Sequence, residues 1–114
     1  MAHHGDLIQK LAQCASACEW CLDACLSEDD VKMLARCIRL DRDCAKICHL
    51  TASLAASHSP FATKMVKLCE EVCTSCAEEC EKHDDMDHCS ECAGACRACA
   101  EACRNFVEEV SYSA

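Results

Sequence analysis

Aromatic rings, glycine and proline are nearly missing from this chain. Its 114 residues include two Phe, one Trp, one Tyr, two Gly and one Pro. So few rings leave no ordinary aromatic core, and so few helix breakers leave long helices uninterrupted. Positive charge is scarce as well. Eleven Lys and Arg stand against twenty Asp and Glu, a formal charge of -9. A nucleic-acid binder is excluded, because it needs a basic face to displace counterions from phosphates. No apolar run reaches the roughly 18 residues of a membrane span, so no membrane partner is expected. The N-terminal stretch Met1 to Asp6 has no basic region, no apolar run after it and no twin arginine. The expected location is therefore the cytosol.

What the chain has in abundance is cysteine, sixteen in all. They fall in four runs: Cys14, Cys18, Cys21, Cys25; Cys37, Cys44, Cys48; Cys69, Cys73, Cys76, Cys80; and Cys89, Cys92, Cys96, Cys99, Cys103. Steps of three and four residues match the α-helical period of about 3.6, so each run forms a stripe on one helix face. Thiols thus occupy positions where a bundle normally keeps Leu and Ile. In a reducing compartment such clusters point to metal rather than to disulfides, and neighbours on one helix face fit disulfide geometry poorly.

Turn signals divide the chain into four helices within a single domain, 1–114. Helix one is predicted over 6–26 with Asp6 as its cap. Helix two follows over 27–56, opened by Ser27 and the acids Glu28, Asp29 and Asp30. Ser59 caps helix three, with Pro60 in its first position, and that helix ends near Lys82. His83, Asp84 and Asp85 cap helix four, which runs to about Val110. Short connections make neighbours antiparallel, giving an all-α, up-down-up-down four-helix bundle with a cysteine-lined core. Gly94 is expected to admit close backbone approach. Leu22, Leu26, Ile38, Leu40, Ile47 and Leu50 are expected to supply contacts between helices. Trp20 points away from the sulfur stripe, to pack on a flank or to form a subunit interface.

Thiolates select soft cations: Cu(I), Zn(II) or iron–sulfur clusters. Cu(I) is satisfied by two or three sulfurs, so pairs along a stripe suffice. One Cu(I) per thiolate also leaves the core neutral, which matters because uncompensated buried charge is costly. Four Zn(II) in separate four-cysteine sites would leave about -8 inside the bundle. Iron–sulfur ligands usually come from irregular loops. Haem attachment is excluded, since Cys44 and Cys48 before His49 are separated by three residues rather than two. A thiol redox enzyme would need one activated cysteine, and none is singled out. The cargo is expected to be Cu(I), with zinc or general soft-metal buffering as the alternative.

The runs Cys14-x3-Cys18-x2-Cys21-x3-Cys25, Cys69-x3-Cys73-x2-Cys76-x3-Cys80 and Cys89-x2-Cys92-x3-Cys96-x2-Cys99-x3-Cys103 resemble those of the four-helix-bundle copper storage proteins, in their cytosolic branch. The likeness spans essentially the whole chain. It implies many Cu(I) ions inside each bundle, on the order of one per cysteine, no enzymatic activity, and a homotetramer. A copper chaperone or a low-molecular-weight copper ligand is the corresponding partner.

Antiparallel packing sorts the remaining residues to two ends. Leu7, Leu11, Phe61, Met65, Phe106 and Val110 are expected to plug one. Met33, His83, Met86 and His88 gather at the other, beside Cys25, Cys80 and Cys89, as a metal entrance; otherwise they are core filler and solvated loop. Asp41 takes the slot that a further helix-two cysteine would fill, as an oxygen ligand or a hydrogen-bond acceptor near the metal, or else as a partly solvated or paired carboxylate. His49 lies beside the stripe, and His3, His4 and His58 have no assigned role.

Overall fold

The computed structural model describes residues 4–113. Four helices, α1 (Gly5–Leu26), α2 (Ala35–Ala56), α3 (Ala62–Glu81) and α4 (Asp87–Ser113), are joined by short turns, with a 3₁₀ turn at Val31–Leu34 ahead of α2. Each helix packs on its two ring neighbours, and among the described residues the diagonal pairs α1/α3 and α2/α4 share no backbone contact. The result is a rod of 50 × 20 × 19 Å. Its antiparallel up-down-up-down order is the one predicted.

The helix ends follow local hydrogen bonding more closely than residue type. α1 starts one residue early, at Gly5, with His4 in a left-handed conformation (φ 57°) and no side-chain cap. Asp6 therefore sits in the first turn, where it meets the positive end of the helix dipole instead of capping it. Ser27 does not open helix two. Its N–H donates to the Ala24 carbonyl (3.1 Å) and the Glu28 N–H donates to Cys25 (3.2 Å), so this segment closes α1. The acids after it fill the turn, and α2 begins eight residues later than predicted.

α2 ends in a Schellman motif: Ser59 N–H donates to the Leu54 carbonyl (3.0 Å) and His58 N–H to Ala55 (3.2 Å). His58 holds the left-handed position usually given to glycine, at φ 53°. The Ser59 hydroxyl accepts the Phe61 N–H at 3.1 Å within the turn, but α3 begins at Ala62 with Phe61 in the cap position, so Ser59 is not the cap and Pro60 precedes the helix instead of filling its first position. His83 closes α3 through its N–H to Cys80 (3.0 Å), and the Met86 carbonyl accepts the Ser90 N–H (3.0 Å) as α4 begins. Residues 83–85 are thus a turn, and the cap predicted there is replaced by Met86.

One stripe per helix faces inward. At the end where α1 and α3 begin, Leu7, Leu11, Thr51, Ala55, Ala62, Val66 and Phe106 are buried. Phe61, expected in this plug, is 65% exposed, and Met65 is only partly buried. Both sit one position out of phase with the stripe 62-66-69-73-76-80, so Ala62 and Val66 take their places. Val110 packs on the core from its edge. Ile38, Leu40 and Ile47 pack against the core as predicted, whereas Leu26 and Leu50 are exposed. Gly94 is exposed too, and a Cβ there would meet nothing within 4 Å, so it serves no close approach.

Candidate metal centre

All sixteen cysteines are free and fully buried. Their sulfurs form a column along the bundle axis. Toward the plugged end, Cys48 Sγ lies 3.8 Å from both Cys69 and Cys73, and Cys48, Cys69, Cys73 and Cys99 converge on one point. The next layer joins all four helices: Cys14 is 3.8 Å from Cys44, 3.9 Å from Cys73 and 3.7 Å from Cys96. Cys18 continues the column, 3.7 Å from both Cys96 and Cys92. At the far end Cys21 lies 3.9 Å from Cys25 and 3.8 Å from Cys89, and Cys37 lies 3.6 Å from Cys80. The convergent groups include Cys14-Cys18-Cys44-Cys96 and Cys18-Cys76-Cys92-Cys96. Many such groups share members, so the column is one continuous array rather than a set of separate cages.

The electrostatics are those of thiols in contact. Cys18, Cys73 and Cys96 are each pushed above the usual thiol range, first by hydrogen bonding with Cys14 and then by further sulfurs and burial. Burial lifts Cys25 to about 12. Cys37 is drawn down, by hydrogen bonding with Cys21 and then Cys80. Protons are therefore shared unevenly along the column, and a cation that replaces them removes the desolvation cost of the thiolates it binds.

Asp41 stands within the column and is fully buried. Its Oδ1 accepts from the thiols of Cys76 (3.2 Å), Cys92 (3.4 Å) and Cys80 (3.7 Å), and its Oδ2 from Cys37 (3.8 Å). The side chain is neither solvated nor matched by a cation in these contacts, which corrects that alternative. Burial, reinforced by the charges of Cys92 and Cys37, pushes its carboxyl up to about 9.

The end opposite the plug separates the four residues expected there. His88 is buried and aims Nδ1 at Cys21 (3.5 Å), Cys89 (3.5 Å) and Cys25 (3.9 Å). His83 is also buried, but its Nε2 pairs with Glu79 at 3.1 Å. Neither is a solvated loop histidine. Met86 packs on the core edge. Met33 is 52% exposed, and Leu34 takes the inward slot before Cys37. The 3₁₀ turn explains this: at three residues per turn, position 34 rather than 33 lies under 37.

Sequence reasoning missed three residues at this end. Glu28 accepts from His88 Nε2 at 3.1 Å, Glu79 is buried among Arg36, Lys82 and His83, and Leu34 covers the column. Only the antiparallel placement of the 27–30 turn beside the start of α4 could have suggested the Glu28 contact. Trp20, 47% exposed, forms a T-shaped pair with His88, ring centroids 6.1 Å apart. His49 pairs with Glu19 on the outside, at 3.4 Å. His4 and His58 sit at the plugged end, where the His4 ring lies 4.8 Å from Phe106 and 5.3 Å from His58. His3 lies outside the described residues.

The sequence model of the copper storage protein family matches residues 1–108. The chain belongs to that family. The copper storage family is one of metal binders, not enzymes, and its members among solved structures share this fold. The Cu(I)-bound copper storage protein BsCsp3 of Bacillus subtilis superposes with a TM-score of 0.88 at 42% identity, over 92% of this chain and 98% of that one. A cytosolic copper storage protein from Streptomyces lividans, loaded with five coppers, gives 0.89 at 39% identity, over 93% of this chain and 92% of that one. The uncharacterised cysteine-rich protein YhjQ of Bacillus subtilis strain 168 is 45% identical over 88 residues, 77% of this chain and 81% of that protein. No helix among the described residues is long and apolar enough to cross a membrane.

Proposed function

We propose that this copper storage protein holds Cu(I) on all sixteen cysteines, at about one ion per thiolate, within a single domain of 1–114. Storage of several Cu(I) ions on core cysteines is the function of the chain. The observation that carries the finer reading is the unbroken column of sixteen free, fully buried sulfurs. One Cu(I) per thiolate neutralises that column, and no other filling by a soft cation does so as simply. Asp41 acts within it as an acceptor for four thiols and, once those protons leave, as a candidate oxygen ligand.

Copper enters at the His88 end, between the first turn of α4 and the end of α1. His88 and the sulfurs of Cys21, Cys25 and Cys89 make the first contact. His83 and Met86 frame the opening, while Met33, pointing outward, supplies nothing to it. The donor is a copper chaperone or a low-molecular-weight copper ligand, and the compartment is the cytosol, as for the Streptomyces lividans protein.

A homotetramer is supported by a second apolar stripe, half-buried between α2 and α3 and exposed at Leu50 and Leu68. Leu40, Ile47, Leu50 and Leu54 on α2 and Met65, Leu68 and Val72 on α3 repeat at helical spacing outside the sulfur phase. Leu50 is 48% and Leu68 42% exposed, beside a groove of about 370 Å³ edged by Asp43, Lys46 and Glu71.

The test is anaerobic titration of the reduced chain with Cu(I) against a competing chelator, with elemental analysis and proton release read together. Binding on the order of one ion per cysteine, with about one proton released per ion, is expected. Saturation at one or two ions refutes the reading. For the entrance, His88→Ala slows loading and Met33→Ala does not. Equal rates in parent and His88→Ala remove that route.

A further inference from the structure

The group Cys21, Cys25, Cys89 and His88 has a composition that the rest of the column does not need for Cu(I). Three sulfurs and one imidazole nitrogen all lie within 4.8 Å of one another. Five of the six edges are 3.8 and 3.9 Å from Cys21 to the other two sulfurs, and 3.5, 3.5 and 3.9 Å from His88 Nδ1 to sulfur. A tetrahedron with Zn–S near 2.3 Å and Zn–N near 2.05 Å has edges of about 3.8 Å between sulfurs and about 3.6 Å from nitrogen to sulfur. Four of these five edges match those separations to about 0.1 Å, and the fifth, His88 to Cys25, is about 0.3 Å longer.

The second observation is the state of the imidazole. Glu28 Oε2 accepts from His88 Nε2 at 3.1 Å, so Nε2 carries a ring proton and Nδ1 is the nitrogen turned toward the three sulfurs. A carboxylate behind a ligating histidine is the usual partner that fixes its tautomer and raises its basicity. Trp20 borders the same ring. Glu28 is 36% exposed, so a hydrated dication reaches this group without crossing the dry column. Charge also favours it: Zn(II) on three thiolates and a neutral imidazole leaves -1, whereas a four-thiolate group deeper in the core would retain -2.

We propose that Cys21, Cys25, Cys89 and His88 form a Zn(II) site, one per chain, occupied when copper is scarce and vacated when Cu(I) arrives. Binding releases the three thiol protons to solvent; no electron is transferred. Incoming Cu(I) takes the three sulfurs, for which it is the softer and stronger partner, and Zn(II) leaves to water. The site goes beyond the storage reading, although it borrows three of the same sulfurs.

The experiment uses the full, reduced, copper-free chain under anaerobic conditions, with Co(II) as the spectroscopic stand-in for Zn(II). The first equivalent is expected to bind as a tetrahedral ion with three thiolates and one nitrogen, and to be displaced by one Zn(II). Glu28→Gln weakens it by about 10- to 100-fold. His88→Ala, checked for retained helicity by circular dichroism, loses that spectrum, and Cys89→Ser loses it as well. A first equivalent with a four-thiolate spectrum that survives His88→Ala overturns the proposal, as does a chain that binds no Co(II). Cu(I) capacity is measured on the same parent preparation. Full Cu(I) capacity without the Co(II) site sinks this inference alone, and loss of Cu(I) capacity sinks the storage reading.

Discussion

Replacing Asp41 by Asn should change how the copper-free bundle responds to pH. The carboxyl is fully buried, accepts from four thiols, and keeps its proton to about pH 9 against 3.8 ordinarily. Unfolding in the interval between those values frees the carboxyl to water, where it ionises and releases a proton. Stability from this group is therefore full below about pH 4 and declines as pH rises toward 9. The slope is about 1.4 kcal/mol per pH unit, so between pH 5 and pH 7 the parent loses about 2.7 kcal/mol that the Asn variant keeps. For a domain of this size that is a difference of about 10 °C in melting temperature. Titrating groups remote from Asp41 are common to both proteins and cancel in the comparison. The assay is urea unfolding of the reduced apo chain and its Asn variant at several pH values. A parent-minus-variant difference that stays constant from pH 5 to pH 7 refutes the reasoning.

Leu34→Ala should cost about 3 kcal/mol, because Leu34 is fully buried over the column and little can collapse into its place; chemical denaturation reads it. His58→Gly should stabilise the apo chain by about 1 kcal/mol in the same assay, since glycine carries no steric penalty at φ 53°. Leu50→Glu combined with Leu68→Glu places like charges on the exposed part of the second stripe and should shift sedimentation from tetramer to monomer at unchanged helicity. A tetramer that persists moves the interface elsewhere.

The bundle and its sulfur lining were legible because a regular helix converts spacing directly into facing: once Cys14, Cys18, Cys21 and Cys25 share a stripe, Leu7 and Leu11 follow it. That inference fails wherever the pitch changes. The 3₁₀ turn shifts the phase before Cys37, so Met33 turns outward and Leu34 inward. Phe61 and Met65 were assigned to the plug by bulk and apolarity, yet their phase belongs to the outer face. Caps were misread for a related reason. Ser27 and the acids after it have the chemistry of a helix start, but the backbone there is still closing α1. Glu28 on His88 joins residues sixty apart in sequence, and no local pattern encodes such a contact. The merger of sulfur layers through Asp41 was visible only as a gap in the cysteine rhythm.

Leu7, Leu11, Val66 and Phe106 make the sulfur column a blind alley, with a mouth at His88 alone in our reading. With one mouth, ions near Cys69 and Cys103 would be the first in and the last out. A second copper isotope added last should be the first recovered by a chelator outside.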